Sequence, residues 1–116
     1  MKILMILNDP PYGSERSYNG LRLAGSIITK SEDTDLTVFL MGDAVACAKA
    51  GQKTPNGYYN TERMLKPVVG RGAVLLCGSC MDARGLTEAE MMEGAKRSTL
   101  QELTELTLAA DKVIVF

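Results

Sequence analysis

Four short stretches of the chain are apolar almost without interruption: Ile3 to Leu7, Leu36 to Met41, Ala73 to Cys77 and Val113 to Phe116. A strand with one face in water alternates apolar and polar residues, whereas a strand buried on both faces does not. The runs therefore predict strands of a parallel sheet. Each interval between them is long enough for the helical crossover that parallel neighbours need.

Helix signals fill those intervals. Gly13-Ser14-Glu15 opens a segment reaching about Lys30, with Leu21, Leu23, Ala24, Ile27 and Ile28 on one apolar face. Asp43 is expected to N-cap a short helix through Ala50, with Gly51 as its stop. Asn60 is placed to cap a helix carrying Met64 and Leu65, which Pro67 bends or ends. Thr87-Glu88-Ala89-Glu90 and Ser98-Thr99-Leu100-Gln101 both fit the capping box, and the second opens a helix with Leu100, Leu103 and Leu106 inward. The expected fold class is α/β: a three-layer α/β/α sandwich with a mainly parallel sheet of four to five strands, in one domain over residues 1–116. If there is a fifth strand it is expected near the loop Gly51 to Gly57, although no strand pattern marks it there.

Composition narrows the function. Net charge is −1 and no Lys/Arg stripe runs along the chain, so nucleic acid is not an expected partner. The first apolar run ends at Asn8-Asp9-Pro10-Pro11, too short for a signal peptide or a membrane span. A cytoplasmic location is expected, and with it reduced thiols instead of a disulfide framework. The three cysteines and the absence of His fall short of the four ligands of a structural zinc site, so no metal is expected. No GxGxxG or GxxxxGK[ST] is present, and no cofactor is expected.

In a parallel sheet the strand C-ends share one edge, where ligands bind in open α/β folds. The segments after those ends are Asn8 to Glu15, Gly42-Asp43 and Cys77 to Gly85. A crevice there would hold Asn8, Tyr12, Ser14, Glu15, Asp43, Cys77, Cys80, Asp82 and Arg84. Cys77-Gly78-Ser79-Cys80 stands out, because two thiols lie three apart where a buried strand gives way to a loop. Cys77 reads either as a nucleophilic, sulfur-carrying thiol or as the last buried residue of its strand. Cys80 reads as a second reactive thiol or a small turn residue. Cys47 is expected to pack as a small hydrophobe on the short helix after Asp43.

Arg84 is suited to stabilising a thiolate, or to a surface ion pair with Asp82 or Glu88. Asp82 braces or caps the turn, and Gly85 satisfies turn geometry. Tyr12-Gly13-Ser14 fits either a pocket floor or a turn followed by a helix cap. Two motif families are set aside. Cys77 or Cys80 with Arg84 has the wrong spacing for a Cys-based phosphatase loop. The CxxC follows the third strand, unlike that of thioredoxins, and no proline is placed opposite it.

Segments along the whole chain resemble the DsrE/TusD-like sulfur-relay superfamily, in its subgroup of small YchN-type members. They are Pro11-Tyr12-Gly13-Ser14-Glu15, Leu21-Arg22-Leu23-Ala24, Phe39-Leu40-Met41-Gly42-Asp43-Ala44-Val45, Gly51-Gln52-Lys53, Gly57-Tyr58, Cys77-x-x-Cys80-x-Asp82-x-Arg84-Gly85 and Ala110-Asp111-Lys112-Val113. The resemblance implies a homotrimer or homohexamer with a pocket near subunit interfaces. In the relay members, a cysteine eight residues before the glycine of an Arg-Gly pair carries persulfide sulfur. Cys77 and Gly85 match that spacing, so the resemblance gives Cys77 the carrier role. Cys80 matches only the YchN-type pattern. The stretch Lys66 to Gly72, with Pro67 and two glycines, departs from the family.

The expectation is thus sulfur relay or persulfide handling, with Cys77 and Cys80 as the reacting thiols. Tyr12, Gly13, Ser14, Asp43, Asp82, Arg84 and Gly85 would line the substrate site, and the partners would be sulfur donor and acceptor proteins or small persulfides. A dithiol–disulfide redox protein and a non-enzymatic oligomeric binding module are the alternatives.

Overall fold

The first three apolar runs become strands because both faces of the sheet are covered there, whereas the fourth, at Val113 to Phe116, forms an exposed edge strand and not the buried one expected. A computed structural model describes residues 1–116. The elements are β1 (Lys2–Leu7), α1 (Arg16–Lys30), β2 (Asp35–Leu40), α2 (Thr61–Arg71), β3 (Ala73–Cys77), α3 (Gly78–Ala83), β4 (Ala95–Ser98), α4 (Leu100–Ala109) and β5 (Lys112–Val115). Two 3₁₀ segments, Gly42–Ala48 and Glu88–Glu90, complete them. All five strands pair in parallel, in the order β4-β3-β2-β1-β5.

The topology sets the layers. The steps β1 to β2, β2 to β3 and β3 to β4 run in one direction, and β4 to β5 runs back across the sheet. With right-handed crossovers, α1, α2 and α3 take one side and α4 the other. Accordingly α1 packs on α2, and a small cavity beneath α4 is lined by Lys2, Leu4, Leu106, Ala109 and Ala110. The core runs through β1, β2 and β3 and includes the fully buried Met5, Leu7, Val38, Phe39, Leu40 and Leu76.

The fifth strand is β4, away from the Gly51–Gly57 loop. Its sequence, Ala-Lys-Arg-Ser, is polar because it is an edge strand bonded only to β3. The Thr87 capping box forms, but it starts a single 3₁₀ turn and no longer helix. Asn60 caps α2 as expected, accepting the Arg63 N–H at 3.0 Å. Pro67 lies inside that helix, which continues to Arg71. Thr99, one residue past Ser98, caps α4 by accepting the Glu102 N–H. Leu100 was expected inward but is 70% exposed, because the inward stripe of α4 is carried by Leu103 and Leu106. Leu23 of α1 is likewise exposed, while Leu21, Ala24 and Ile28 are buried. No helix is long and apolar enough to cross a membrane.

Candidate functional site

Cys77 ends β3 and is the residue before α3, which places its sulfur on the carboxyl edge of the sheet. That edge holds a second feature, where β1 and β5 meet and the strand order reverses. Such a crevice is the usual ligand position, but here it is closed. Asn8 donates to the Phe116 carbonyl through both its backbone and its side-chain amide, each at 3.1 Å. The Phe116 ring packs close to Gly20 of α1. The thiol site lies two strands away, at the ends of β2 and β3.

Cys77 is 7% exposed and Cys80 is partly buried; both are free thiols. Burial by itself pushes the Cys77 thiol up. Hydrogen bonding with the Cys80 thiol and then with Ser79, and the nearby backbone N–H groups of Cys80 and Ser79, outweigh burial and hold it below the usual thiol range. The Ser79 hydroxyl lies 3.4 Å from the Cys77 sulfur. Cys80 moves the other way: burial and the bond to Cys77 raise it, against the Gly42 N–H and the Arg84 charge. The pair is therefore polarised, with Cys77 the more readily ionised thiol and Cys80 the one that holds its proton longer.

Gly42 matters because of its backbone. Its φ of +55° turns the chain sharply out of β2 and points its N–H toward Cys80. A Cβ there would also lie 3.4 Å from the Asn8 carbonyl oxygen. Because Gly42 opens the 3₁₀ segment, Asp43 falls inside the first turn and makes no cap. Its carboxylate instead accepts from Arg84 Nε at 2.8 Å. Arg84 also donates through Nη1 to the Cys80 carbonyl at 3.0 Å. Arg84 thus pairs with neither Asp82 nor Glu88, and it addresses Cys80 more directly than Cys77.

Asp82 faces away from Arg84 and receives both terminal nitrogens of Arg97, each at 2.8 Å. Gly85, with φ of +65°, stops α3: its N–H donates to the Asp82 carbonyl, and the Leu86 N–H donates to the Met81 carbonyl. This is the Schellman arrangement, so Gly85 shapes the turn that carries Arg84.

Tyr12, Gly13 and Ser14 form a separate group, with no bond to the thiol site. Tyr12 Oη donates to Gln52 Oε1 at 2.5 Å, and the ring sits 5.4 Å from Tyr59. Tyr59 in turn stacks on Tyr18 at 4.2 Å. Ser14 Oγ donates to the Asp9 carboxylate at 2.7 Å. Gly13, with φ of +103°, bends the loop into open space. Glu15 stands just before α1 without a side-chain cap. Cys47 is fully buried at this end of the molecule.

Sequence reasoning missed three residues of the thiol site. Ser79 lay in plain view inside the CxxC. Gly42 carried a signal, a glycine directly after a buried strand. Arg97 carried none, because its strand was not recognised. No group of three or more His, Cys, Asp or Glu side chains is arranged to hold a metal ion.

Comparison with known proteins places the chain as a whole. The DsrE/DsrF-like family matches over residues 1–116. Protein YchN of Escherichia coli is 41% identical over 116 residues, covering 99% of this chain and 98% of its own. An uncharacterised protein of Methanocaldococcus jannaschii is 37% identical over 117 residues, covering 100% of both chains. The crystal structure of the Escherichia coli YchN protein superposes with a TM-score of 0.94, covering 99% of this chain and 98% of that one. A protein of unknown function from Methanobacterium thermoautotrophicum shares the fold with a TM-score of 0.77 at 12% identity, covering 99% and 97%. The chain belongs to the DsrE/DsrF-like family.

Proposed function

We propose that this protein handles sulfane sulfur on Cys77, with Cys80 as the resolving thiol. The observation that carries the reading is the polarised pair: two adjacent thiols, one held below and one above the usual range. Membership of a family of the sulfur-relay type supports it. The Cys77 thiolate attacks the outer sulfur of a donor persulfide. A Cys77–sulfur bond forms, the donor's S–S bond breaks, and the donor leaves as its thiolate. An acceptor thiolate can then take the outer sulfur by the same exchange. Alternatively Cys80, after giving its proton to solvent, attacks the Cys77 sulfur. The disulfide Cys77–Cys80 forms, hydrosulfide leaves, and the sulfane sulfur is reduced by two electrons as the two thiols are oxidised.

Arg84 and Asp43 belong to the reading as groups beside Cys80, and Asp82 as the brace of α3. Tyr12, Gly13 and Ser14 stand apart and would enter only through a large partner. The partners are sulfur donor and acceptor proteins or small persulfides, met in the cytoplasm. Assembly as a homotrimer or homohexamer fits the apolar side chains left in water on α4 and β5, with Leu108 84% and Val115 61% exposed.

Intact mass spectrometry after incubation with a sulfane-sulfur donor tests the proposal. Wild type should gain sulfur, Cys77→Ser should gain none, and Cys80→Ser should accumulate the adduct. Loss of two hydrogens without any sulfur adduct would point to a dithiol redox protein. No change in any variant would leave a binding module with structural cysteines.

A further inference from the structure

Arg97 and Asp82 are fifteen residues apart in sequence and meet as a planar, two-toothed pair, Nη1 to Oδ1 and Nη2 to Oδ2, both at 2.8 Å. The guanidinium also lies against Gly78. A Cβ built there would come within 2.8 Å of Arg97 Cζ and Nε. The glycine of Cys77-Gly78-Ser79-Cys80 thus has a physical reason: the arginine passes where a side chain would be.

We propose that Arg97, through Asp82, is a positioning residue for Cys77. It ties α3 to the edge strand β4 and keeps the Ser79 and Cys80 N–H groups near the Cys77 sulfur. α3 has only six residues, and no side chain caps its start. Its far end is fixed by Gly85 and Leu86. Arg97 spans the helix, its guanidinium lying against Gly78 at the near end while it holds Asp82 in the last turn. The two arginines then divide the site, Arg84 against Cys80 and Arg97 beside Gly78 and Cys77.

The pair is surface-exposed, with Arg97 at 39% and Asp82 at 64%. Such pairs add little to global stability, so its effect should be read in thiol chemistry and not in folding. The groups facing Cys77 are few. Cys80 and Ser79 approach from α3. Arg97 comes from β4, and the charges of Asp82, Glu88 and Cys77 all act on it. Ser98, the ladder partner of Cys77, donates to Glu102 of α4 and engages that carboxylate. Asp43 acts through Arg84.

The inference gives the sulfur-handling reading its positioning device and rests on it for its biological purpose. Its test does not depend on sulfur transfer. Alkylation by iodoacetamide is followed against pH, with each cysteine read separately by peptide mass, in wild type, Arg97→Gln, Arg97→Lys and Asp82→Asn. The Cys77 profile should move up by about one pH unit in Arg97→Gln and Asp82→Asn, slowing its alkylation at neutral pH by ~10-fold with circular dichroism unchanged. Arg97→Lys keeps the charge but loses the fork, and should stay as slow as Arg97→Gln. An unmoved Cys77 profile in folded Arg97→Gln overturns the proposal, as does full recovery in Arg97→Lys, which would reduce Arg97 to a nearby charge. If Arg97→Gln does not fold, Asp82→Asn decides, and wild-type behaviour there overturns it. Failure of wild type to take up sulfur would sink the sulfur-handling reading and leave this profile where it is.

Discussion

Cys47 should make the protein lose stability steeply in mild alkali. Its side chain is fully buried in the 3₁₀ segment after β2, with the sulfur 4.0 Å from the Asp9 carbonyl oxygen. A thiol can donate there, whereas a thiolate would face an oxygen's lone pairs. Burial, only partly offset by Ser17 and its own backbone N–H, pushes the Cys47 thiol from 9.0 up to about 12. The folded protein therefore holds this proton over a range in which the unfolded chain releases it. Below the unfolded value the stabilisation is fully present, and it is lost as pH rises toward the folded value. The slope is about 1.4 kcal/mol per pH unit, so the whole window removes ~4 kcal/mol. That is a large share of a stability that, for a domain of this kind, is about 5–15 kcal/mol.

The assay is urea unfolding by circular dichroism at several pH values from 8 to 11, for wild type and Cys47→Ala. Below pH 9 the variant should be the less stable, through lost packing. Above it the gap should close by about 1.4 kcal/mol per pH unit, because the variant has no proton to lose. Tyr59, also raised first by burial, contributes the same sign in both proteins and cancels in the comparison apart from its coupling to Cys47, the smallest of its causes. Parallel stability curves from pH 9 to 11 would refute the reasoning. The same physics makes Cys47 inert at neutral pH, so alkylation of the folded protein should report Cys77 and Cys80 before it.

Two further outcomes follow from local geometry. Asn60→Ala removes the α2 cap and also the side-chain donation to the Gln52 carbonyl at 3.0 Å; urea unfolding should show a loss toward the upper end of about 0.5–2 kcal/mol. Gly72→Ala places a Cβ 2.2 Å from the Leu36 backbone oxygen, a contact no rotamer change relieves; it should cost about 3 kcal/mol or more, and a thermal melt matching wild type would contradict the packing of α2 into β3.

What the sequence revealed follows from how local each signal is. β1, β2 and β3 are buried on both faces, so their residues had to be apolar, and the runs showed it. β5 is an edge strand, yet Val113 and Val115 kept it legible because they are apolar despite their exposure. β4 has the opposite character. Its place is fixed by the ladder from Val74 to Cys77 and not by its own side chains, so Lys96 and Arg97 read as surface. Asn60 was legible as a cap because a cap acts three residues away. Asp43 misled for a related reason: the left-handed Gly42 started the turn one residue early and freed the carboxylate for Arg84, 41 positions along the chain.

The candidate site divides along the same line. Its two thiols are local, one turn apart at a strand end, and were visible as Cys77-x-x-Cys80. Cys77 is lowered from within the motif, by Cys80 and Ser79, whereas other groups of the site come from elsewhere: Gly42 and Asp43 from the end of β2, and Arg97 from β4. Sequence proximity offered Asp82 or Glu88 as partners for Arg84, and the fold chose neither. It gave Asp82 to Arg97 and Arg84 to Asp43, so each arginine stands against a different cysteine. A CxxC by itself therefore states that two thiols can meet. Which of them ionises first depends on how α3 is held, because the Cys80 thiol, Ser79 and their backbone N–H groups are what lower Cys77.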